Sequence, residues 1–205
     1  MIALIDYGAG NLRSVYKALK FLGADVQIVT KPEETKDAHA MVLPGVGAFD
    51  DCIQALDKQQ MLQSARDFIK SGRPFLGICV GYQALFEKSE EFNSCALGLN
   101  VFGGKVVKFP ENAGIKIPQI GWNQVWQKRA DCPLYKGIPD GSHFYFVHSF
   151  YPQPTDSSIV ATTTDYGVDF TSSVWRDNVY ATQFHPEKSQ KAGLQLMKNF
   201  IELAE

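Results

Sequence analysis

The stretch GICVG, Gly77 to Gly81, sets a cysteine two residues from a glycine on either side. Small-x-nucleophile-x-small is the pattern of a nucleophile elbow, here with Cys79 in the nucleophile's place. The chemistry it suggests is attack of a thiolate on an electrophilic carbon. A thiol at the N-terminus of a helix is favoured as thiolate by the free N–H groups there, and the N–H of Val80 can hold a developing oxyanion. The competing reading is a small apolar filler, since free cysteine is among the most buried residue types. The flanking glycines favour the nucleophile, because a sharp strand-to-helix turn crowds those neighbours.

A thiolate nucleophile needs a base, and the chain offers four histidines. His39 enters an apolar run and reads as a surface residue. His143 opens HFYFVHSF without an acid beside it, and His148, later in that run, reads as a pocket residue. His185 is followed by Pro186 and Glu187. The proline fixes the local direction of the chain, and a spacing of two lets the carboxylate orient and charge-stabilise the imidazole. Cys79, His185 and Glu187 so read as nucleophile, base and orienter. LPGVGAF, Leu43 to Phe49, adds glycines that let backbone N–H groups approach a ligand or an oxyanion. Taken alone, it is an ordinary turn.

The elements that must position these residues alternate through the first half. IALIDY, DVQIVT, AMVLPG and PFLGIC read as buried strands. LRSVYKALKFLG reads as a helix ending at Gly23, FDDCIQALDKQQMLQSARDFIKSG as one long helix, and VGYQALFEKS as the helix after the elbow. This rhythm predicts a parallel sheet with helices on both faces. The second half is richer in short β-branched and aromatic runs: GKVVKFP, WNQVWQ, HFYFVHSFYP, IVATTTDYG, TSSVWRDN and VYATQFHPE. These predict antiparallel strands extending or flanking that sheet, before a closing helix in AGLQLMKNFIELA. The expected architecture is α/β, flavodoxin-like, in three layers, with residues 1–205 as one domain.

Composition narrows the function. The chain has 205 residues, 45% hydrophobic and 20% charged, with net charge −2. That balance gives no basic footprint for nucleic acid or an anionic membrane. No stretch has the length of a transmembrane span, and MIALIDYGAG lacks the features of an export signal, so a cytoplasmic protein is expected. Cys52, Cys79, Cys95 and Cys132 form no C-x-x-C pair and no Cys/His zinc spacing. Free thiols, no metal and no cofactor are expected. Cys52 and Cys95 read as packing or surface residues, and Cys132 precedes a proline in a loop.

With PGVG, GICVGYQ and HPE in this order and at these separations, the chain resembles the class I, triad-type glutamine amidotransferases. Within that family, DYGAGNLRSV, KIPQIGWN, YFVHSF and HPEKS resemble the glutaminase subunits that serve a cyclase of histidine biosynthesis, and the likeness runs end to end. It implies that Cys79 attacks the side-chain amide of glutamine, that His185 shuttles the proton and that Glu187 orients it. The N–H groups of Val46 and Val80 would form the oxyanion hole. Gly47, Gln83, Ser149 and Phe150 would grip the amino-acid end of glutamine. The resemblance further implies a heterodimer with a (β/α)8-barrel cyclase that receives ammonia through a tunnel and yields imidazole glycerol phosphate. Asn11, Trp122, Asn123, Tyr145 and Lys188 match positions near that interface.

Val80 stands where leucine is usual, Gln119 where many relatives have histidine, and Phe150 where tyrosine is common. Rival readings are the glutaminase of pyridoxal phosphate synthase, a stand-alone γ-glutamyl hydrolase, and a catalytically silent protein of the same fold. KIPQIGWN and HPEKS argue against the first two, and the intact Cys79, His185 and Glu187 against the third. DYGAGN lacks both the G-x-G-x-x-G and the P-loop lysine patterns, so it is not read as a nucleotide loop.

Overall fold

A computed structural model describes residues 1–9, 11–111 and 114–204. In chain order the regular elements are β1 (Ile2–Ile5), α1 (Leu12–Phe21), β2 (Val26–Val29), β3 (Ala40–Leu43), α2 (Phe49–Lys58), α3 (Met61–Lys70), β4 (Phe75–Ile78) and α4 (Val80–Gln83). There follow β5 (Lys88–Ser89), β6 (Gly104–Lys108), β7 (Gln119–Gln127), β8 (Ser142–His148), β9 (Phe150–Pro154), β10 (Val160–Asp165), β11 (Asp169–Arg176), β12 (Val179–Thr182) and α5 (Gln190–Leu203).

Strands β1, β3, β4 and β12 are buried at every residue, which is what continuous apolar runs produce in a sheet covered on both faces. They belong to a nine-stranded sheet of order β2-β1-β3-β4-β12-β11-β10-β7-β8. Pairing is parallel from β2 to β12 and antiparallel from β12 to β8. A three-stranded sheet, β5-β6-β9, stands beside it. Helix α1 packs against α5, while α2 packs against α3 and α4. Right-handed crossovers on either side of β1 separate these groups into two layers. Strand order reverses between β1 and β3, and the crevice outside the carboxyl ends of such strands is where α/β sheets bind ligands. The elbow lies at the carboxyl end of β4, next to β3.

Four local expectations are corrected. The single helix expected from Phe49 is two ten-residue helices, broken where Gln60 adopts φ 58. The polar KQQ run ends one apolar face, and Met61 and Leu62 start another that is again buried. The helix expected after the elbow is one turn, Val80–Gln83. Residues 80–86 are buried throughout, so this segment has no solvent face. The carbonyls of Ala84 and Leu85 are taken by the N–H groups of Leu99 and Val101 instead of by the next helical turn. HFYFVHSFYP is two strands in different sheets, β8 and β9, parted at Ser149. VYATQF does not lie among purely antiparallel neighbours: β12 pairs in parallel with β4, in the register Ala181 with Gly77 and Thr182 with Ile78.

Candidate active site

Cys79 ends β4 in a backbone conformation of φ 55, ψ −107, which L-residues other than glycine adopt at a cost of about 1–3 kcal/mol. The turn holds because its surroundings fix it. The Cys79 N–H donates to Thr182 O at 2.8 Å, so the elbow is tied to the end of β12. A Cβ on Gly77 would lie 2.7 Å from Gly81 O, and one on Gly81 would run into the Leu43 carbonyl. The two glycines of GICVG are therefore required by the close approach of β3, β4 and the elbow. With only one turn of helix after it, little of a helix dipole acts on the thiol, so side chains must supply that role.

Those side chains come from the end of β12. The Gln183 Nε2 donates to Cys79 Sγ at 3.7 Å, and Gln183 Oε1 accepts from Gln83 Nε2 at 3.2 Å. Two residues on, His185 Nδ1 lies 2.9 Å from Glu187 Oε1. Its Nε2 is buried and turned toward Cys79. Burial opposes the imidazolium, but neighbouring Cys79 and then the Glu187 carboxylate outweigh it, and His185 is pushed up to about 10. Burial likewise works against the Glu187 carboxylate. Its hydrogen bonds from His185 and from Asn11 Nδ2, the latter at 3.0 Å, hold it below its usual range. The backbone of His185 is also held: its N–H donates to Tyr145 O at 2.9 Å, and its carbonyl accepts from Ser189 Oγ at 2.6 Å.

His148 is placed quite differently. The Phe150 carbonyl lies 2.9 Å from Nδ1, and Gln119 Oε1 lies 2.7 Å from Nε2. The rings of Phe109, Phe146 and Phe170 surround it at 5.1–5.7 Å from centroid to centroid. Burial pushes its pKa down to about 3, against the pull of the Phe150 carbonyl. The ring is a neutral structural link between β8, β9 and β7.

A cleft of about 400 Å³ opens over Cys79, lined by Val46, Gly47, Val80, Gln83, Ser149 and Phe150 among others. These are the residues expected at the oxyanion hole and around the ligand, and they converge on one space. Lys188 reaches the same cleft. Its Nζ lies 5.9 Å from the Tyr145 ring, whose centroid is 6.0 Å from that of the half-exposed Trp122. Asn123 lies one residue further along β7 and donates to Asp165 O at 2.8 Å. Trp122, Tyr145 and Lys188 thus form one patch at the rim, but Asn11 is turned inward onto Glu187.

Glu91 also lines the cleft, and no sequence pattern singled it out. One oxygen, Oε2, accepts from Phe49 N–H at 2.8 Å. Burial, with Asp50 and Asp51 behind it, raises its pKa against that hydrogen bond. A carboxylate there offers a counter-charge to a cationic group entering the cleft. Glu91→Gln is expected to raise KM for an amino-acid substrate by about tenfold or more, the worth of a charge-assisted hydrogen bond, with little change in kcat. Steady-state kinetics decide this, and an unchanged KM would remove Glu91 from the binding site.

Together these groups can attack a carbonyl carbon, hold the resulting oxyanion and protonate a leaving nitrogen. Residues 3–203 match the family model "Glutamine amidotransferase class-I". The chain is 48% identical over 205 residues, 98% of each chain, to the imidazole glycerol phosphate synthase subunit HisH of Syntrophotalea carbinolica. It is 49% identical over 200 residues to the protein of the same name from Desulfitobacterium hafniense (strain DSM 10664 / DCB-2), covering 98% of this chain and 93% of that one. A solved glutamine amidotransferase superimposes with TM-score 0.77 over 100% of this chain and 99% of its own, at 21% identity, a likeness of fold alone.

Proposed function

The chain belongs to the class I glutamine amidotransferases, and from that premise we propose that it is the glutaminase subunit of an imidazole glycerol phosphate synthase, working as one domain over residues 1–205. The observation that carries the reading is the His185 imidazole, which is hydrogen-bonded to Glu187 on one side and faces Cys79 on the other. The relatives named imidazole glycerol phosphate synthase subunit HisH support the choice of synthase.

In this mechanism the Cys79 thiolate attacks the side-chain amide carbon of glutamine. The negative oxygen is stabilised by the N–H groups of Val80 and Val46. The imidazolium of His185 gives its proton to the leaving nitrogen, the C–N bond breaks, and ammonia departs from a γ-glutamyl thioester. His185 then takes a proton from water, the hydroxide attacks the thioester, and glutamate leaves with the thiolate restored. Glu187 keeps the imidazole oriented, and Asn11 keeps Glu187 in place. Gln183 holds the thiolate from its other side. Gly47, Gln83, Ser149 and Phe150 bind the amino-acid end of glutamine together with Glu91.

Ammonia passes to a (β/α)8-barrel cyclase seated on the rim that bears Trp122, Asn123, Tyr145 and Lys188, in the cytoplasm. Among the described residues no helix is long and apolar enough to cross a membrane. Co-purification with the cyclase subunit, followed by glutamate-release assays with and without the cyclase's nucleotide substrate, tests the reading. A stable heterodimer whose glutaminase rises on adding that nucleotide is the expected result. Failure to associate, or glutaminase indifferent to both partner and nucleotide, would reject the synthase assignment.

A further inference from the structure

We propose that Gln183 is a catalytic residue of the second half-reaction: its side-chain N–H receives the sulfur of Cys79 as the C–S bond of the γ-glutamyl thioester breaks. The proposal rests on the glutaminase reading above and adds to it the group that assists the leaving thiolate.

Gln183 follows β12 directly and is completely buried. An amide so placed costs free energy unless its polar atoms are paired, and here the pairing fixes which end points where. The Phe150 carbonyl can only accept, so the group facing it from 3.0 Å is the amide nitrogen of Gln83. That same nitrogen lies 3.2 Å from Gln183 Oε1. The carbonyl end of Gln183 is thereby turned to Gln83, which leaves its NH2 end toward Cys79 Sγ at 3.7 Å. The backbone around it is held as well. The Gln183 N–H donates to Ser172 O at 2.8 Å, and the Thr182 carbonyl before it takes the Cys79 N–H at 2.8 Å. The Phe184 ring after it packs 4.2 Å from that of Phe144, centroid to centroid.

An amide nitrogen donates and does not accept. Its hold on sulfur therefore strengthens as sulfur gains negative charge. The Val147 carbonyl, 4.0 Å from Sγ, has the opposite preference, because it can only accept from a thiol. In thioester hydrolysis His185 takes a proton from water, and the resulting hydroxide adds to the carbonyl carbon. The tetrahedral oxyanion collapses, and the C–S bond breaks with its electron pair left on Sγ. Glutamic acid departs and loses its carboxyl proton to solvent. In this step sulfur changes from a neutral, weak acceptor to an anion, so the Gln183 N–H binds the transition state better than the thioester. In the first half-reaction sulfur changes the other way, and the same hydrogen bond gives no help to the attack.

Gln183→Met keeps the length of the side chain and removes the donor. In the cyclase complex loaded with nucleotide, at a pH where Cys79 is ionised in both proteins, thioester breakdown is expected to slow about tenfold or more, the weight of a hydrogen bond to a charged group. The values of kcat and KM for glutamine should fall together with kcat/KM unchanged, and rapid acid quenching should trap a larger fraction of chains as thioester. The pH profile of Cys79 alkylation by iodoacetamide should move upward, with His185, Cys52 and Tyr7, titratable groups beside that thiol, left in place. A kcat/KM that falls as far as kcat, an unchanged thioester fraction or an unmoved alkylation profile would overturn the proposal. A measurement on the wild type needs no change at this position: with 15N-glutamine labelling, a side-chain amide resonance should move as Cys79 ionises and stay fixed in Cys79→Ala. A complex that shows the alkylation and amide responses but releases no glutamate would reject the glutaminase reading and leave the sulfur contact. One that releases glutamate and shows neither would reject the proposal alone.

Discussion

Cys79→Ala is expected to abolish glutamate release while the partnered complex continues to cyclise when ammonia is supplied in solution. Removing the nucleophile from a comparable catalytic unit costs about 10⁶-fold, far below the detection limit of a coupled glutamate assay. The fold should be unaffected. Alanine carries the same Cβ as cysteine, so the strain at φ 55 is no greater, and the hydrogen bond from the residue's N–H to Thr182 O is a backbone contact. The contacts of Sγ with Gln183 Nε2 and with Val147 O, at 3.7 and 4.0 Å, are lost together with that to the His185 imidazole. The measurement is a pair of rates on one preparation, with glutamine or with ammonium as nitrogen source. Glutamate release persisting in Cys79→Ala would remove this residue from the chemistry, and loss of both rates would point to damage at the interface.

The second large effect separates two histidines that a sequence presents as similar. His185→Asn is expected to lower kcat by about 10²–10⁴-fold, the contribution of a positioned acid–base group, because its imidazole faces Cys79. His148→Asn should cost less than about tenfold, because a ring pushed down to about 3 carries no proton near neutral pH. Its two nitrogens are also occupied by Phe150 and Gln119. Its loss should appear instead as a lower melting temperature, since it leaves a buried carbonyl and a buried amide unpaired. Equal losses of kcat at the two positions would mean that the base had been misassigned.

The parts of this site legible in the sequence are those whose constraint is local. Gly77 and Gly81 are set by steric crowding within five residues of one another, and His185 and Glu187 by a spacing of two. Partners brought in by tertiary packing leave no such trace. Gln183 sits two residues before His185, yet its contact with Cys79 bridges 104 positions of chain, and that of Asn11 with Glu187 bridges 176. Asn11 was legible as a residue of interest through its motif, but its inward turn onto the carboxylate was not. Glu91 lies in a segment without periodicity, and its place in the cleft follows from packing against the start of α2. Among the elements, the parallel half of the sheet was legible from continuous apolar runs. The early end of α4 was not, because the groups that interrupt it belong to residues 99–101.

The parallel pairing of β4 with β12 carries a consequence for the life of the chain before it is finished. Cys79 and His185 follow neighbouring strands that are remote in sequence, and contacts of such high order form late and slowly during folding. A chain emerging from synthesis can complete β1 to β4 and display its elbow with no imidazole beside it. Thr182 O, the acceptor that ties down the Cys79 N–H, ends the late strand that His185 follows by three residues. The thiol is therefore neither fixed in its turn nor paired with a proton carrier until β12 is seated. Glutamine hydrolysis begins only once nearly the whole molecule is in place, so a half-folded chain does not squander the cell's glutamine as unclaimed ammonia.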